Sequence, residues 1–183
     1  MKQVLVTVFS ETGNTMKIAE AIRDEATKLG FSVDLQPVIS LELASLGDYD
    51  VVFIGSTCHS SNLAQPVLDL LAKLPESPAF KLAGFVTHSV WGSHDSSHLP
   101  LYNQWAGRCQ PTLETACSDR GIDFLGFFSC MGAPAPRIEV FIRNTVITDE
   151  ATFTEYLEEV RQHPNDKDLL NARAFAREVL ERL

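Results

Sequence analysis

The sequence predicts an α/β fold: a doubly wound sheet of five parallel strands with helices on both faces. Three observations predict it. Short apolar runs recur at residues 4–9, 51–55, 82–88 and 124–130. Segments of helical spacing separate them. The first run enters its helix through a tight loop of small polar residues, Ser10-Glu11-Thr12-Gly13-Asn14-Thr15. Continuous apolar runs suit parallel strands covered on both faces.

Val4, Leu5, Val6, Val8 and Phe9 make the first strand. Ile18, Ala19, Ala21, Ile22, Ala26 and Leu29 give the next helix its apolar stripe, and Gly30 ends it. Residues 31–35 alternate as strand two. Asp48-Tyr49-Asp50 introduces strand three at 51–55. A loop covers 56–65, and Pro66 stands near the start of a helix carrying Val67, Leu68, Leu70, Leu71 and Leu74. Lys81 opens strand four, which runs to His88. A long polar loop spans 89–107. Pro111, Leu113 and Ala116 lie in a helix ending at Gly121, and strand five covers 124–130.

Gly132-Ala133-Pro134-Ala135-Pro136 reads as a rigid turn or linker. Ile138, Val140, Phe141 and Ile142 fit a short helix or a strand, and their spacing does not choose. Phe153, Tyr156, Leu157 and Val160 have helical spacing, with Thr148 or Asp149 as cap and Pro164 as stop. A last helix from about 166 to 183 puts Leu169, Ala172, Ala176, Val179, Leu180 and Leu183 on one face. No internal repeat or second core is visible. The expectation is one domain over 1–183: a core over about 1–130 and a helical extension over about 131–183.

With 183 residues, 45% hydrophobic and 21% charged, the chain can build one packed core. No apolar run reaches eighteen residues, so no membrane span is expected. The chain enters a strand within a few residues, so no signal peptide is expected. Cys58, Cys109, Cys117 and Cys130 form no C-x-x-C pair and read as reduced thiols, which suits the cytoplasm. A net charge of −9 argues against non-specific nucleic-acid binding and permits steering toward a basic partner.

The loop at 10–15 carries the chemistry. It offers backbone N–H groups and three hydroxyls (Ser10, Thr12, Thr15) at the positive end of a helix dipole, with no lysine or arginine inside it. A phosphate suits such a nest. The Gly-Lys-Ser/Thr ending of a Walker loop is missing, and one glycine is too few for the dinucleotide fingerprint. The alternative is a polar turn in which Thr12 or Asn14 caps the helix.

The stretch resembles the phosphate loop of flavodoxins, Ser/Thr-x-Thr-Gly-Asn-Thr after the first strand. Ala19 and Ile22 continue the likeness, and Val8 stands where that family usually has an aromatic. The resemblance implies a flavodoxin-like sheet of order 2-1-3-4-5 and non-covalently bound FMN. It implies one-electron transfer between redox partner proteins. Ser10, Thr12, Asn14 and Thr15 would hold the 5′-phosphate with the amides of Glu11 and Gly13, and Glu11 would turn its carboxylate away.

By the same resemblance, the second loop (Thr57, Cys58, His59, Ser60) borders the flavin near N5. The tryptophan and glycine common there are absent. His59 could cover the ring, with Ser60 or Asn62 supplying a backbone group. The third loop offers Ser89, Val90, Trp91 and Gly92, with Trp91 expected to stack on the ring. The alternatives are Trp91 packed under its loop and Tyr102 or Trp105 in its place.

His59, His88, His94 and His98, with Asp95, crowd these loops without any recognisable metal-ligand spacing, so no metal is expected. They read as a rim that lowers negative charge around the flavin. Cys58 beside His59 reads as a packed thiol, because neighbours on a strand point opposite ways. Cys109 and Cys117 lie eight apart on a helix, too far for a bridge.

Two further functions compete: an NAD(P)H-dependent FMN or quinone reductase using the long 89–107 loop, and a flavin-free interaction module on the same fold. A homo-oligomer is left open.

Overall fold

The computed structural model describes residues 2–92 and 96–183. The strands are β1 (Gln3–Phe9), β2 (Ser32–Pro37), β3 (Val51–His59), β4 (Asn62–Leu63), β5 (Lys81–His88) and β6 (Phe124–Met131). The helices are α1 (Asn14–Lys28), α2 (Gln65–Leu71), α3 (Leu99–Trp105), α4 (Cys109–Asp119), α5 (Pro136–Phe141), α6 (Glu150–Val160) and α7 (Asp166–Leu180).

The main sheet is parallel, in the order β2-β1-β3-β5-β6. This is the expected 2-1-3-4-5 order, with β5 and β6 as its fourth and fifth strands. Two-residue alternation divides the strands between two cores. Val4, Val6, Val8, Phe53 and Phe85 meet α1 and α7 on one face. Leu5, Val52, Ile54, Leu82 and Val86 meet α2 and α4 on the other. Gly55 is needed inside β3 because a Cβ there would stand 2.2 Å from the Phe85 ring. Gly30, at φ +89°, closes α1 with its N–H on the Thr27 carbonyl.

Two segments differ from the expected plan. The 56–65 loop is a hairpin: β3 continues to His59, turns at Ser60 and Ser61, and pairs antiparallel with β4. The turn residues have φ of 49° and 70°, a conformation usually signalled by glycine or asparagine, and neither is present. The 89–107 loop contains α3, which Pro100 starts in its first turn. No residue of α3 is fully buried, so it lacks the apolar stripe that would have marked it.

The 131–183 extension divides in two. Helix α7, started by an Asn165/Asp168 capping box, buries Ala172, Ala176, Val179 and Leu180 in the same core as β1. It is the covering helix that follows the last strand of the sheet. Between β6 and α7 lies a helical cap. The ambiguous 138–142 stretch is α5, passing into a π turn at Ile142–Val146, and Asp149 caps α6 by accepting the Thr152 N–H. The cap has its own small core, in which Ile142, Ile147, Phe153, Tyr156 and Val160 gather around Trp91 and Met131.

Candidate cofactor site

The carboxyl ends of β1, β3 and β5 bring three loops to one edge, where ligands of doubly wound sheets bind. The first loop turns at Gly13, whose φ of 86° and ψ of −10° are left-handed. Ser10 Oγ accepts the Met16 N–H at 3.3 Å, and Gly13 O accepts the Lys17 N–H at 3.1 Å. Asn14 Nδ2 donates to Thr12 Oγ1 (3.1 Å) and to the Ala133 carbonyl (2.8 Å). Thr15 Oγ1 shares a hydrogen bond of 2.7 Å with Thr87 Oγ1 on β5.

These bonds assign different parts to the expected residues. Both hydrogens of the Asn14 amide are taken, and the Thr15 hydroxyl shares its bond with Thr87, with either oxygen able to donate. Ser10 and Thr12 hydroxyls each accept a bond from the protein, which leaves their own O–H to donate. Among the described residues, nothing takes the backbone N–H of Thr12, Gly13, Asn14 or Thr15.

Glu11 is the one charge within the loop. Its Oε2 meets His59 Nε2 at 2.8 Å, and its Oε1 lies 3.8 Å from an Arg137 guanidinium nitrogen. The carboxylate is thus engaged by basic groups from the second loop and from α5. Arg137 and the 132–133 segment were absent from the sequence-based site. Gly132 packs so closely that a Cβ would stand 3.1 Å from Asn14. A proline-rich linker after a strand carries no sign that it crosses the phosphate loop.

In the second loop, Thr57, Cys58 and His59 end β3, with the His59 ring edge-on to Phe9. Ser60 is exposed, and its carbonyl accepts from Arg108 Nη2 at 2.6 Å. Ser61 O accepts the Arg108 N–H at 3.1 Å, and Asn62 Oδ1 accepts the Thr112 hydroxyl at 2.8 Å. The hairpin is therefore moored to the start of α4. Cys58 and Cys109 sulfurs lie 3.5 Å apart, a proximity their 51-residue separation conceals.

In the third loop, Ser89 Oγ donates to Gly132 O (3.1 Å), and Ser89 O accepts the Tyr156 hydroxyl (2.7 Å). Val90 is buried, and its carbonyl bonds His88 Nδ1 at 3.0 Å. Trp91 is 7% exposed; its Nε1–H donates to Glu159 at 2.8 Å, His98 stacks on one indole face at 4.0 Å, and Tyr156 meets it edge-on. Packing under the loop, the alternative weighed for this residue, is what these contacts describe. Gly92 is half-buried, and Ser93, His94 and Asp95 lie outside the described residues. Tyr102 meets His88 edge-on, and burial raises its phenol. Trp105 meets Phe141 of α5 edge-on at 5.5 Å. Among the described residues no group of three or more His, Cys, Asp or Glu could hold a metal ion.

A family model described as a flavodoxin domain matches residues 5–177. The chain belongs to the flavodoxin family. Solved structures of flavodoxins are similar along its whole length. Flavodoxin 1 from Bacillus cereus is 17% identical with a TM-score of 0.65, covering 100% of this chain and 99% of that one. A Streptococcus pneumonia TIGR4 flavodoxin is 12% identical with a TM-score of 0.67, covering 99% of each chain. The rubredoxin oxygen:oxidoreductase of Desulfovibrio gigas, 13% identical with a TM-score of 0.66, is matched over 98% of this chain and 35% of its own. At such identities these likenesses concern the fold. A search of curated proteins finds no match. FMN is the cofactor that family membership implies, and the residues at the first loop fit its phosphate: unpartnered amides, free O–H donors and a carboxylate held by other groups.

Proposed function

We propose that this chain binds FMN without a covalent bond and carries electrons between redox partner proteins. One observation carries the reading: four amides, Thr12 to Thr15, stand without partners around a left-handed glycine at the head of a 15-residue helix. A phosphomonoester dianion matches that set, since amides and the helix dipole stabilise it without a buried cation. Ser10 and Thr12 complete the shell with their hydroxyls. Asn14 and Thr15 hold the loop in shape from Ala133 and Thr87.

We place the ring at the carboxyl edge of the sheet, within reach of the second and third loops. Trp105 and Tyr102 are the aromatic candidates there, because Trp91 is engaged by the cap. Glu11 hydrogen-bonds His59, and the Arg137 guanidinium beside it offsets its charge near the phosphate. Bound FMN supplies one-electron chemistry, and the chain binds, orients and shields it. A net charge of −9 favours basic faces on the partners. No helix among the described residues is long and apolar enough to cross a membrane, and the four free cysteines accord with work in the cytoplasm.

The visible spectrum of the purified protein tests this, with mass identification of any released flavin. The expected result is one FMN per chain, regained when the flavin is stripped and FMN restored. A colourless protein that refuses FMN overturns the reading. Sustained turnover with NADPH and a quinone, without any partner protein, moves it to a reductase.

A further inference from the structure

The second loop and the start of α4 bring two thiols together. Cys58 sits half-buried near the end of β3, and Cys109, 1% exposed, is the first residue of α4. Their sulfurs are 3.5 Å apart. The segments carrying them are tied by the Arg108 N–H on Ser61 O and the Arg108 guanidinium on Ser60 O. Closing the sulfurs to the roughly 2.05 Å of a disulfide asks for about 1.5 Å of movement.

The two thiols are not equivalent. Cys109 donates its S–H to Cys58 and a backbone hydrogen bond comes from Ser61, with Arg108 nearby; these pull the Cys58 thiol down against its burial. Cys109, as the donor in a buried pair, is pushed up. Burial alone raises Cys117 to about 11, and burial with the nearby Asp168 carboxylate raises Cys130. A half-buried thiol that accepts from a buried one, its own S–H on the Trp105 carbonyl at 3.3 Å, is the arrangement of an attacking and a resolving cysteine.

We propose that Cys58 and Cys109 form a redox-active dithiol that reduces small disulfides and closes to an intrachain disulfide. The Cys58 thiolate attacks one sulfur of the external disulfide, giving a mixed disulfide and one released thiolate. Cys109 then gives up its proton, which the first released thiolate takes up, and attacks Cys58 Sγ. The second external thiolate leaves and takes up the proton that Cys58 shed on forming its thiolate. Two thiols of the chain are oxidised and one disulfide becomes two thiols. The closed bond staples the β3–β4 hairpin to α4. None of these steps needs the flavin, so the proposal stands apart from the FMN reading.

The test uses the full chain, reduced, desalted without oxygen and incubated with oxidised glutathione. Thiols are counted after unfolding, and peptides are mapped without reduction. The expected result is loss of two of the four thiols and a cross-link joining the peptides of Cys58 and Cys109. Cys109→Ser arrests the reaction with glutathione on Cys58. The double variant Cys117→Ser/Cys130→Ser still loses two thiols. Four surviving thiols, a cross-link between other cysteines or between chains, or an unmodified Cys58 in Cys109→Ser overturns the proposal.

Discussion

At Gly13 the chain turns through φ 86°, and no atom lies within 4 Å of where a Cβ would stand. A side chain has room, so Gly13→Ala meets only the backbone penalty of a left-handed residue, about 1 kcal/mol. Relaxing the turn also re-aims the amides beside it. The expected outcome is a modest stability loss together with FMN binding weakened on the order of tenfold, read by urea unfolding and flavin titration. Gly55 is the opposite case, because the Phe85 ring occupies the space a Cβ would need. Gly55→Ala should destabilise by about 1–3 kcal/mol through overpacking; an unchanged unfolding midpoint would contradict the register of β3 and β5. The first glycine was legible in the sequence, since its place after a strand and before a helix states its purpose. The second was not, because its need comes from a neighbouring strand. The bonds of Asn14 to Ala133 and of Thr15 to Thr87 were hidden for the same reason.

Helices α1 and α7 are joined through Glu25 and Arg177, 2.5 Å apart. Glu25 is 3% exposed, and the hydrogen bond from Arg177 holds its carboxyl below the usual 4.5 despite burial. A carboxyl lowered in the folded state adds stability above its unfolded value and loses it as pH falls through the folded one. Arg177→Ala should therefore lower the thermal midpoint near neutral pH, with the gap to the parent narrowing below about pH 4.5. A gap constant from pH 7 to 3 would contradict the pairing.

The cap grips the third loop in a comparable way. Tyr156→Phe keeps the ring but loses the bond to the Ser89 carbonyl, and should cost about 1 kcal/mol. Trp91→Ala empties the centre of the cap's core and should cost about 3–5 kcal/mol. Trp91→Phe separates packing from stacking. It should lower stability while FMN affinity changes less than threefold, and a larger loss of affinity would return the indole to the ring. Periodicity revealed α6 and α7, whose faces are buried. It missed α3, which has no buried face, and β4, whose turn lacks glycine.

For the molecule as a whole, the buried parallel strands were legible from their continuous apolar runs, and their order from the resemblance to flavodoxins carried by the first loop. The cap's place was not, since nothing local says that residues 132–163 return across the phosphate loop. Asn14 on Ala133, Arg137 beside Glu11 and Tyr156 on Ser89 link that insertion to two of the three loops at the sheet's carboxyl edge. The proposed grip is nonetheless local: neutral donors at the head of α1 would hold a phosphate. Riboflavin has the same ring as FMN and no phosphate, so titrating the stripped protein with each isolates that grip. The account predicts that FMN binds at least a hundredfold more tightly, roughly the 3 kcal/mol of charge-assisted hydrogen bonds. Equal affinities, or no binding of either, would contradict it.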